Sequence, residues 1–411
     1  MTQRSPLAPD KFPNLPAVPG VEISGLHVGL KRKKGVKDLM MARLARGTTI
    51  AGVFTQSKCP SAPVDWCRSV VGAGSARALI VNSGNANAFT GKAGDTVVSE
   101  TVRAAAKLLK CSQKEVFVAS TGVIGVPVPP GYIADKLPRM VKALKPKPWL
   151  SAAESIMTTD TFPKGAVRTA RIGDAEVSLV GITKGSGMIA PDMATMLCFV
   201  FTDAKIPAPV LQTALKAAAD KSYNCITVDS DTSTSDTVLM CATGKGARHE
   251  PVVTATDSHF RDFRRALDDL MIDLATQVVR DGEGAQKLVT IDVTGAKSAR
   301  SARRIGLAVA NSPLVKTAVA GEDANWGRIV MAVGKAGEPA DRDLLSISMG
   351  GVPITENGIL RDDYVEAPVA GHMKGQDIHI GVDIGLGRGK ARVWTCDLTH
   401  GYITINADYR S

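Results

Sequence analysis

Aromatic residues make up only 4% of this 411-residue chain, and that scarcity removes the ring platforms on which single-stranded nucleic acid stacks. The seven cysteines, at positions 59, 67, 111, 198, 225, 241 and 396, are scattered and form no C-x-x-C pair. Their odd number and spacing argue against a disulfide framework or a zinc ribbon, and they read as reduced thiols. The six histidines include no H-E-x-x-H or related pattern, even around His372 and His379, so no structural or catalytic metal is expected. No apolar run approaches the roughly 20 residues that span a bilayer. Residues 1–30, broken by Pro6, Pro9, Pro13, Pro16 and Pro19, contain no apolar stretch behind a basic start. Neither export nor membrane insertion is supported, and a cytoplasmic enzyme is the expected class.

Positive charge is in excess, at a net +10, and it is uneven. Residues 1–194 carry 26 Lys and Arg against 13 Asp and Glu, whereas residues 195–411 carry 24 against 27. The excess gathers at Lys31-Arg32-Lys33-Lys34 with Lys37, and again around Lys142, Lys145 and Lys147. Without interleaved aromatics these runs read as solvated faces, not as a nucleic-acid groove. The field they create draws in small anions. Two further runs resemble motifs only superficially. Asp229–Thr237 is acidic but lacks the central glycine and twelfth-position glutamate of a calcium loop, and reads as a hydrogen-bonded turn. Gly385-Leu-Gly-Arg-Gly389 lacks the helix pattern that a dinucleotide loop needs after it.

Strand-like runs at Thr49–Phe54, Ala78–Asn82 and Val116–Ser120 alternate with helical patterns near 94–110, 132–144 and 150–157, behind a proline-rich extended arm over residues 1–20. A second set follows: a strand from Met196 to Phe201, a helix near Pro207–Ser222, a strand at Thr237–Ala242, and a long helix from about Asp257 to Arg280. In that helix Phe260, Phe263, Leu267, Leu270, Leu274 and Val278 form one stripe, with Asp257-Ser258 suited to capping. Strand-like runs at 288–293, 345–349, 378–384 and 392–396 predict a smaller C-terminal α/β subdomain over about 285–400. The alternation predicts an α/β or mixed α+β fold.

The stretch Lys184-Gly-Ser-Gly-Met188-Ile-Ala-Pro191-Asp-Met-Ala194-Thr195-Met-Leu197 delivers a threonine to the head of a buried strand through a glycine-rich approach. A threonine hydroxyl is activated when its own α-amine, titrating near 7.7–8.0, serves as base. Thr195 could expose that amine only if the Ala194–Thr195 bond were cut. On spacing alone, the same residues also read as a glycine-proline loop feeding an ordinary core strand.

This stretch resembles the processing motif of the ornithine acetyltransferase family, whose precursors cut themselves before the threonine of an Ala-Thr-Met-Leu sequence. Six further segments match in order: Asn82–Gly91, Ser120–Gly125, Met157–Thr161, Asp281–Lys287, Gly321–Arg328 and Tyr402–Asn406. The resemblance implies a layered fold of the type shared with DmpA-like aminopeptidases, with sheets from both fragments, 1–194 and 195–411, packed between helices. It implies Thr195 as nucleophile, Thr121 and Gly122 as oxyanion hole, and Thr161, Lys184, Thr195, Glu283, Asn406 and the last residue, Ser411, as substrate contacts. It implies a reaction in which Thr195 takes the acetyl group of N2-acetylornithine and passes it to glutamate, in two copies of each fragment and without a cofactor. Many members of the family also accept acetyl-CoA, and the sequence leaves that activity open here. Passing the acyl group to water, as related aminopeptidases do, is the alternative. The chain departs from the common family pattern at Ser230, where glycine is usual, at Ser235, where asparagine is usual, and at Phe89, where cysteine often sits. These departures bear on substrate preference and not on the reaction.

Overall fold

The computed structural model describes residues 3–31, 33–190 and 196–407, so Ala194, Thr195 and Ser411 lie outside the described residues. In chain order the strands of the first half are β1 (Val21–Leu26), β2 (Leu39–Leu44), β3 (Thr49–Phe54), β4 (Ala78–Asn85), β5 (Val116–Val123), β6 (Lys164–Ile172) and β7 (Ala175–Lys184). They continue with β8 (Leu197–Thr202), β9 (Thr237–Ala242), β10 (Leu288–Ala296), β11 (Ser346–Met349), β12 (Val352–Glu356), β13 (Ile359–Leu360), β14 (Asp377–Asp383) and β15 (Gly389–Cys396). Three sheets result, with orders β1-β2-β4-β5, β3-β9-β8-β7-β6 and β13-β12-β11-β14-β10-β15. The fold is mixed α/β and layered, as expected.

The apolar run after the junction forms β8, at the middle of the five-stranded sheet, antiparallel to β7 and parallel to β9. All six residues of β8 are buried, which explains an apolar sequence with no polar alternation: a strand covered on both faces has no solvent side. Leu197, Phe199 and Phe201 point into a core shared with β1, β2, β4 and β5. Cys198 and Val200 point into a second core, shared with the helices Ala208–Lys221 and Arg261–Arg280 and with the six-stranded sheet. On the first side, the helix Trp149–Ile156 brings the Trp149 ring to 5.4 Å from that of Phe201, tilted by 49°.

The helix Arg261–Arg280 buries Phe263, Leu267, Leu270, Leu274 and Val278, the predicted stripe. Its start differs from the expectation: Phe260 belongs to a separate 3-10 turn, Ser258–Phe260. Asp257 does not cap the helix, because its carboxylate turns back to accept the Val253 and Thr254 N–H groups, at 2.7 and 3.1 Å. The residues near 132–144 also differ, forming the 3-10 turn Ala134–Lys136 and only a short helix, Leu137–Lys142. The proline-rich arm has neither strand nor helix over its described residues, 3–20. It is nonetheless anchored, with Leu15 and Val18 buried and the Trp149 indole donating to the Pro16 carbonyl at 2.8 Å. Of the basic run, Lys33 and Lys34 are exposed, but Lys37 pairs with Glu154 and Lys31 turns inward. Among the described residues no helix is long and apolar enough to cross a membrane.

Because Phe201 fills the gap between β8 and the Trp149 helix, Phe201→Ala is expected to cost about 3–5 kcal/mol of stability. Urea unfolding followed by tryptophan fluorescence measures it, and a cost below about 1 kcal/mol would contradict the described packing.

Candidate active site

Strands β5 and β7 end at one small cavity of about 130 Å³, which Thr121, Gly122, Lys184, Glu283 and Asn406 line together. Thr121 and Gly122 arrive at the end of β5, which runs parallel to β4 until the register shifts at Gly84 and Asn85. Gly122 has φ +130°, and a Cβ there would sit 2.4 Å from the Gly84 carbonyl carbon and 2.6 Å from the Asn85 nitrogen. The position therefore requires glycine both for conformation and for space. Ser120 donates to the Asn82 side chain at 2.6 Å, and the Asn82 amide donates to the Asn85 carbonyl at 2.9 Å. The asparagine-rich loop thereby holds the end of β5.

Lys184 closes β7, opposite Leu197 of β8. Its Nζ lies 3.4 Å from Thr121 Oγ1, and a lysine donating there leaves the threonine's own proton free to point into the cavity. Burial lowers the Lys184 pKa, against the opposing pull of Asp160. The turn beyond is held from several sides. Gly185 N donates to Asp160 Oδ1 at 2.7 Å, and the Ser186 and Thr159 hydroxyls lie 2.6 Å apart. Met188 N and Ile189 N both donate to the Asp229 carboxylate, at 2.6 and 2.8 Å. Gly187 leaves room for a carboxylate, since a Cβ there would come within 2.4 Å of Glu283.

Glu283 follows the long helix, its N–H donating to the Ser186 carbonyl at 2.9 Å. Its Oε2 accepts the Asn406 amide at 2.8 Å, so the helix His400–Ala407 brings Asn406 onto the carboxylate. A buried ion cluster underlies this floor. Lys164 Nζ bonds Asp160 Oδ1 at 2.6 Å and Asp281 Oδ2 at 2.5 Å, with all three side chains fully buried. Although burial pushes the Asp160 carboxyl up, Lys164 and Lys184 outweigh it and hold the group well below the usual carboxylate range.

Thr161 is not among the residues lining the cavity. Its N–H and hydroxyl both donate to Asp281, at 2.9 and 2.5 Å, and its hydroxyl accepts Ser5 N at 2.9 Å. Thr158 and Thr159, of the same turn, do line the cavity, as do Ser233, Thr234 and Ser235. The Asp229–Thr237 run was read from sequence as a hydrogen-bonded turn beside the site, but that Ser233 and Thr234 of this run and Thr158 and Thr159 line the cavity was missed. Within it Ser230 has φ +65°, a left-handed backbone that explains why glycine suits this position. Phe89, at φ +54°, stands 89% exposed. A larger hollow of about 570 Å³, lined by Arg46, Lys205, Lys245 and Arg248, contains none of the predicted site residues. Among the described residues no three His, Cys, Asp or Glu side chains are grouped to hold a metal ion.

A hydroxyl and a glycine at the end of β5, a buried lysine and a carboxylate thus meet around one small cavity. The pattern of the ArgJ family matches residues 22–411, and the chain belongs to that family. It is 58% identical over 412 residues to the arginine biosynthesis bifunctional protein ArgJ of Mesorhizobium japonicum, with 100% of both chains covered. To the protein of the same name from Bradyrhizobium diazoefficiens it is 54% identical over 409 residues, covering 99% of each. A crystal structure of arginine biosynthesis bifunctional protein ArgJ from Bacillus halodurans superposes with a TM-score of 0.49 at 38% identity, over 51% of this chain and 97% of that one.

One lysine below the site gives a pH signature. Lys31 Nζ donates to the Lys37 and Met157 carbonyls, at 3.0 and 2.7 Å, and burial lowers its pKa to about 8 despite Asp160 and Asp38. A cation depressed on folding costs stability while both states are protonated, and that cost is relieved once the folded state alone gives up its proton. The stability of the wild type relative to Lys31→Met is therefore expected to be flat below pH 7 and to rise from pH 8 toward 10. Denaturant unfolding at a series of pH values tests this, and a difference that stays flat to pH 10 contradicts it.

Proposed function

We propose that the chain transfers the acetyl group of N2-acetylornithine to glutamate, yielding ornithine and N-acetylglutamate, through an acetyl ester on Thr195. The observation that carries this reading is full-length kinship with the ArgJ proteins, together with one cavity shared by Thr121, Gly122, Lys184, Glu283 and Asn406. In this reading the chain cuts itself between Ala194 and Thr195, and the freed α-amine of Thr195 takes the proton from its own hydroxyl. The hydroxyl oxygen attacks the acetyl carbonyl, and the Thr121 hydroxyl and Gly122 N–H stabilise the oxyanion. Collapse expels the ornithine α-nitrogen, which leaves with the proton held by the Thr195 amine. Glutamate then enters, and its α-amine attacks the ester along the same path in reverse, which makes the kinetics ping-pong.

Glu283 faces the side-chain ammonium of ornithine, and Asn406 keeps its carboxylate turned to the cavity. Lys184 faces the substrate carboxylate. Ser411 is a further contact to the amino-acid substrate in this reading, and Thr161 acts from behind, by fixing Asp281 beneath the floor. The word bifunctional in the relatives' names supports a second donor, acetyl-CoA, which would load the same threonine. The fragments work as two copies of each, in the cytoplasm.

Intact mass under denaturing conditions, before and after addition of N2-acetylornithine without glutamate, tests the reading. Two fragments meeting at Ala194 and Thr195, with one acetyl group on the second, are expected. Thr195→Ala is expected to remain one uncut chain without transfer activity, and transfer by that variant would end the proposal. Glu283→Gln is expected to raise KM for N2-acetylornithine roughly tenfold or more, the size of losing one hydrogen bond to a charged group, with a smaller effect on kcat. An unchanged KM would remove Glu283 from the ammonium site.

A further inference from the structure

The hollow of about 570 Å³ lies at the end of the five-stranded sheet opposite to the candidate active site. Thr49 at the start of β3 pairs with Ala242 at the end of β9, which pairs with Thr202 at the end of β8, and both Thr49 and Ala242 line the hollow. Lys184 and Thr237 stand beside Leu197, at the other end of β8. At about 3.3 Å per residue, the length of that strand keeps the two sites about 17 Å apart.

Four cations line the hollow: Arg46 from the turn between β2 and β3, Lys205 from the turn after β8, and Lys245 and Arg248 from the loop after β9. All four are exposed, and among the described residues none of their side chains has an ion pair or hydrogen bond. No Asp or Glu lines the hollow. The acidic residues of the same turns are engaged elsewhere. Asp203 Oδ1 accepts the Ser178 N–H at 2.8 Å, and the Glu250 carboxylate lies 3.9 Å from His259 Nδ1.

The cations are held in place by backbone bonds. Gly244 N donates to the Ala204 carbonyl at 3.0 Å and Gly246 N to the Asp203 carbonyl at 2.9 Å. Lys205 N donates to His249 Nε2 at 2.9 Å, so the Nδ1 of that ring carries the proton and donates to the Glu250 carbonyl at 2.7 Å. Gly244, at φ +62°, turns the chain where a side chain would be strained. These three bonds stitch the loop after β9 to the turn after β8, which fixes where Lys245 and Arg248 stand relative to Lys205.

Like charges gathered around a concavity repel one another, and no acid among the walls offsets them here. A bound anion reverses that cost. The hollow has the volume of a small-molecule site, and a single carboxylate would leave most of its charge unmatched. Linked phosphates offer several oxygens a few ångströms apart, which guanidinium groups grip two at a time. Beside the cations, Ile206, Pro207, Pro251 and Val252 give the hollow an apolar wall, suited to the carbon-bearing part of such a ligand. We propose that this hollow is a binding site for a small anion with two or more linked phosphate groups, either a nucleoside triphosphate or an inorganic tripolyphosphate. The inference stands apart from the reading of Thr195 and from any cut in the chain.

Calorimetric titration of the full chain with ATP, and separately with tripolyphosphate, tests it at about 0.15 M salt, where exposed charges more than about 8 Å apart are screened. Saturable binding of at least one of them, one per chain, is expected. Tighter binding of ATP would mark the nucleoside as the part lying on the apolar wall, and tighter binding of tripolyphosphate would mark the inorganic anion. Lys245→Ala combined with Arg248→Ala is expected to weaken binding roughly a hundredfold or more, the scale of two lost hydrogen bonds to charged groups. Lys142→Ala combined with Lys147→Ala, which removes two exposed lysines outside the hollow, is expected to leave it unchanged. Absence of saturable binding by both anions overturns the proposal. So does binding that survives loss of Lys245 and Arg248, or that falls equally in the Lys142 and Lys147 variant, which would mark a general response to net charge. If the Lys245 and Arg248 variant does not fold, Arg46→Gln with Lys205→Gln must weaken binding in its place, and unchanged affinity there also overturns it.

Discussion

Burial of β8 on both faces is the constraint from which the site follows. Its five apolar residues, Leu197 to Phe201, must each find an apolar neighbour on one side or the other, so the chain has to build two cores, one from the first four-stranded sheet and one from the helices Ala208–Lys221 and Arg261–Arg280 with the six-stranded sheet. A strand held that way has no freedom of register, because a shift of one residue would exchange every side chain between the two cores. With the register set, Lys184 and Thr237 both lie beside Leu197. The end of the sheet that carries the predicted nucleophile is therefore positioned by hydrophobic packing, and its chemistry is added at the rim.

The ionic floor behaves differently. Lys164, Asp160 and Asp281 are a cation between two carboxylates, all out of water, and such clusters contribute little net stability once desolvation is counted. Their effect is geometric. Asp160 holds the turn after β7 through Gly185, and Asp281 anchors the loop after the long helix just before Glu283. Loss of the lysine would leave two buried carboxylates facing each other. The groups that line the cavity thus hang from a lattice that tolerates few alternative arrangements.

Much of this was legible where the signal is local. The period of the long helix and the unbroken apolar run of β8 are each carried by neighbouring residues, whereas Thr121 and Gly122 extend β5 beyond the predicted Val116–Ser120 run because they pair with β4. Thr121, Gly122, Lys184, Glu283 and Asn406, proposed from short motifs far apart in the chain, meet at one cavity. What stayed hidden depends on distant partners. Lys164 looks like a surface lysine until Asp281, 117 residues later, is folded against it. Strand β6, with Arg168 and Arg171 along it, reads as polar because its buried face becomes apparent only when paired with β7. Thr161 sits in the right turn, yet its hydroxyl is claimed by Asp281, and no feature of the Thr-Thr-Asp-Thr run says which threonine will face inward. Asp236 resembles any acidic residue of a serine- and threonine-rich turn until the parallel pairing of β8 and β9 sets it against Met196.

The five-stranded sheet takes β3, β6 and β7 from before the junction and β8 and β9 from after it. A cut at that point would turn one polypeptide into two that share a single hydrogen-bonded sheet, with β7 and β8 joined along six residue pairs. Separating two such pieces would unpair β7 from β8 and open both cores to water, so the same apolar burial that sets the register of β8 would also be what holds the halves together.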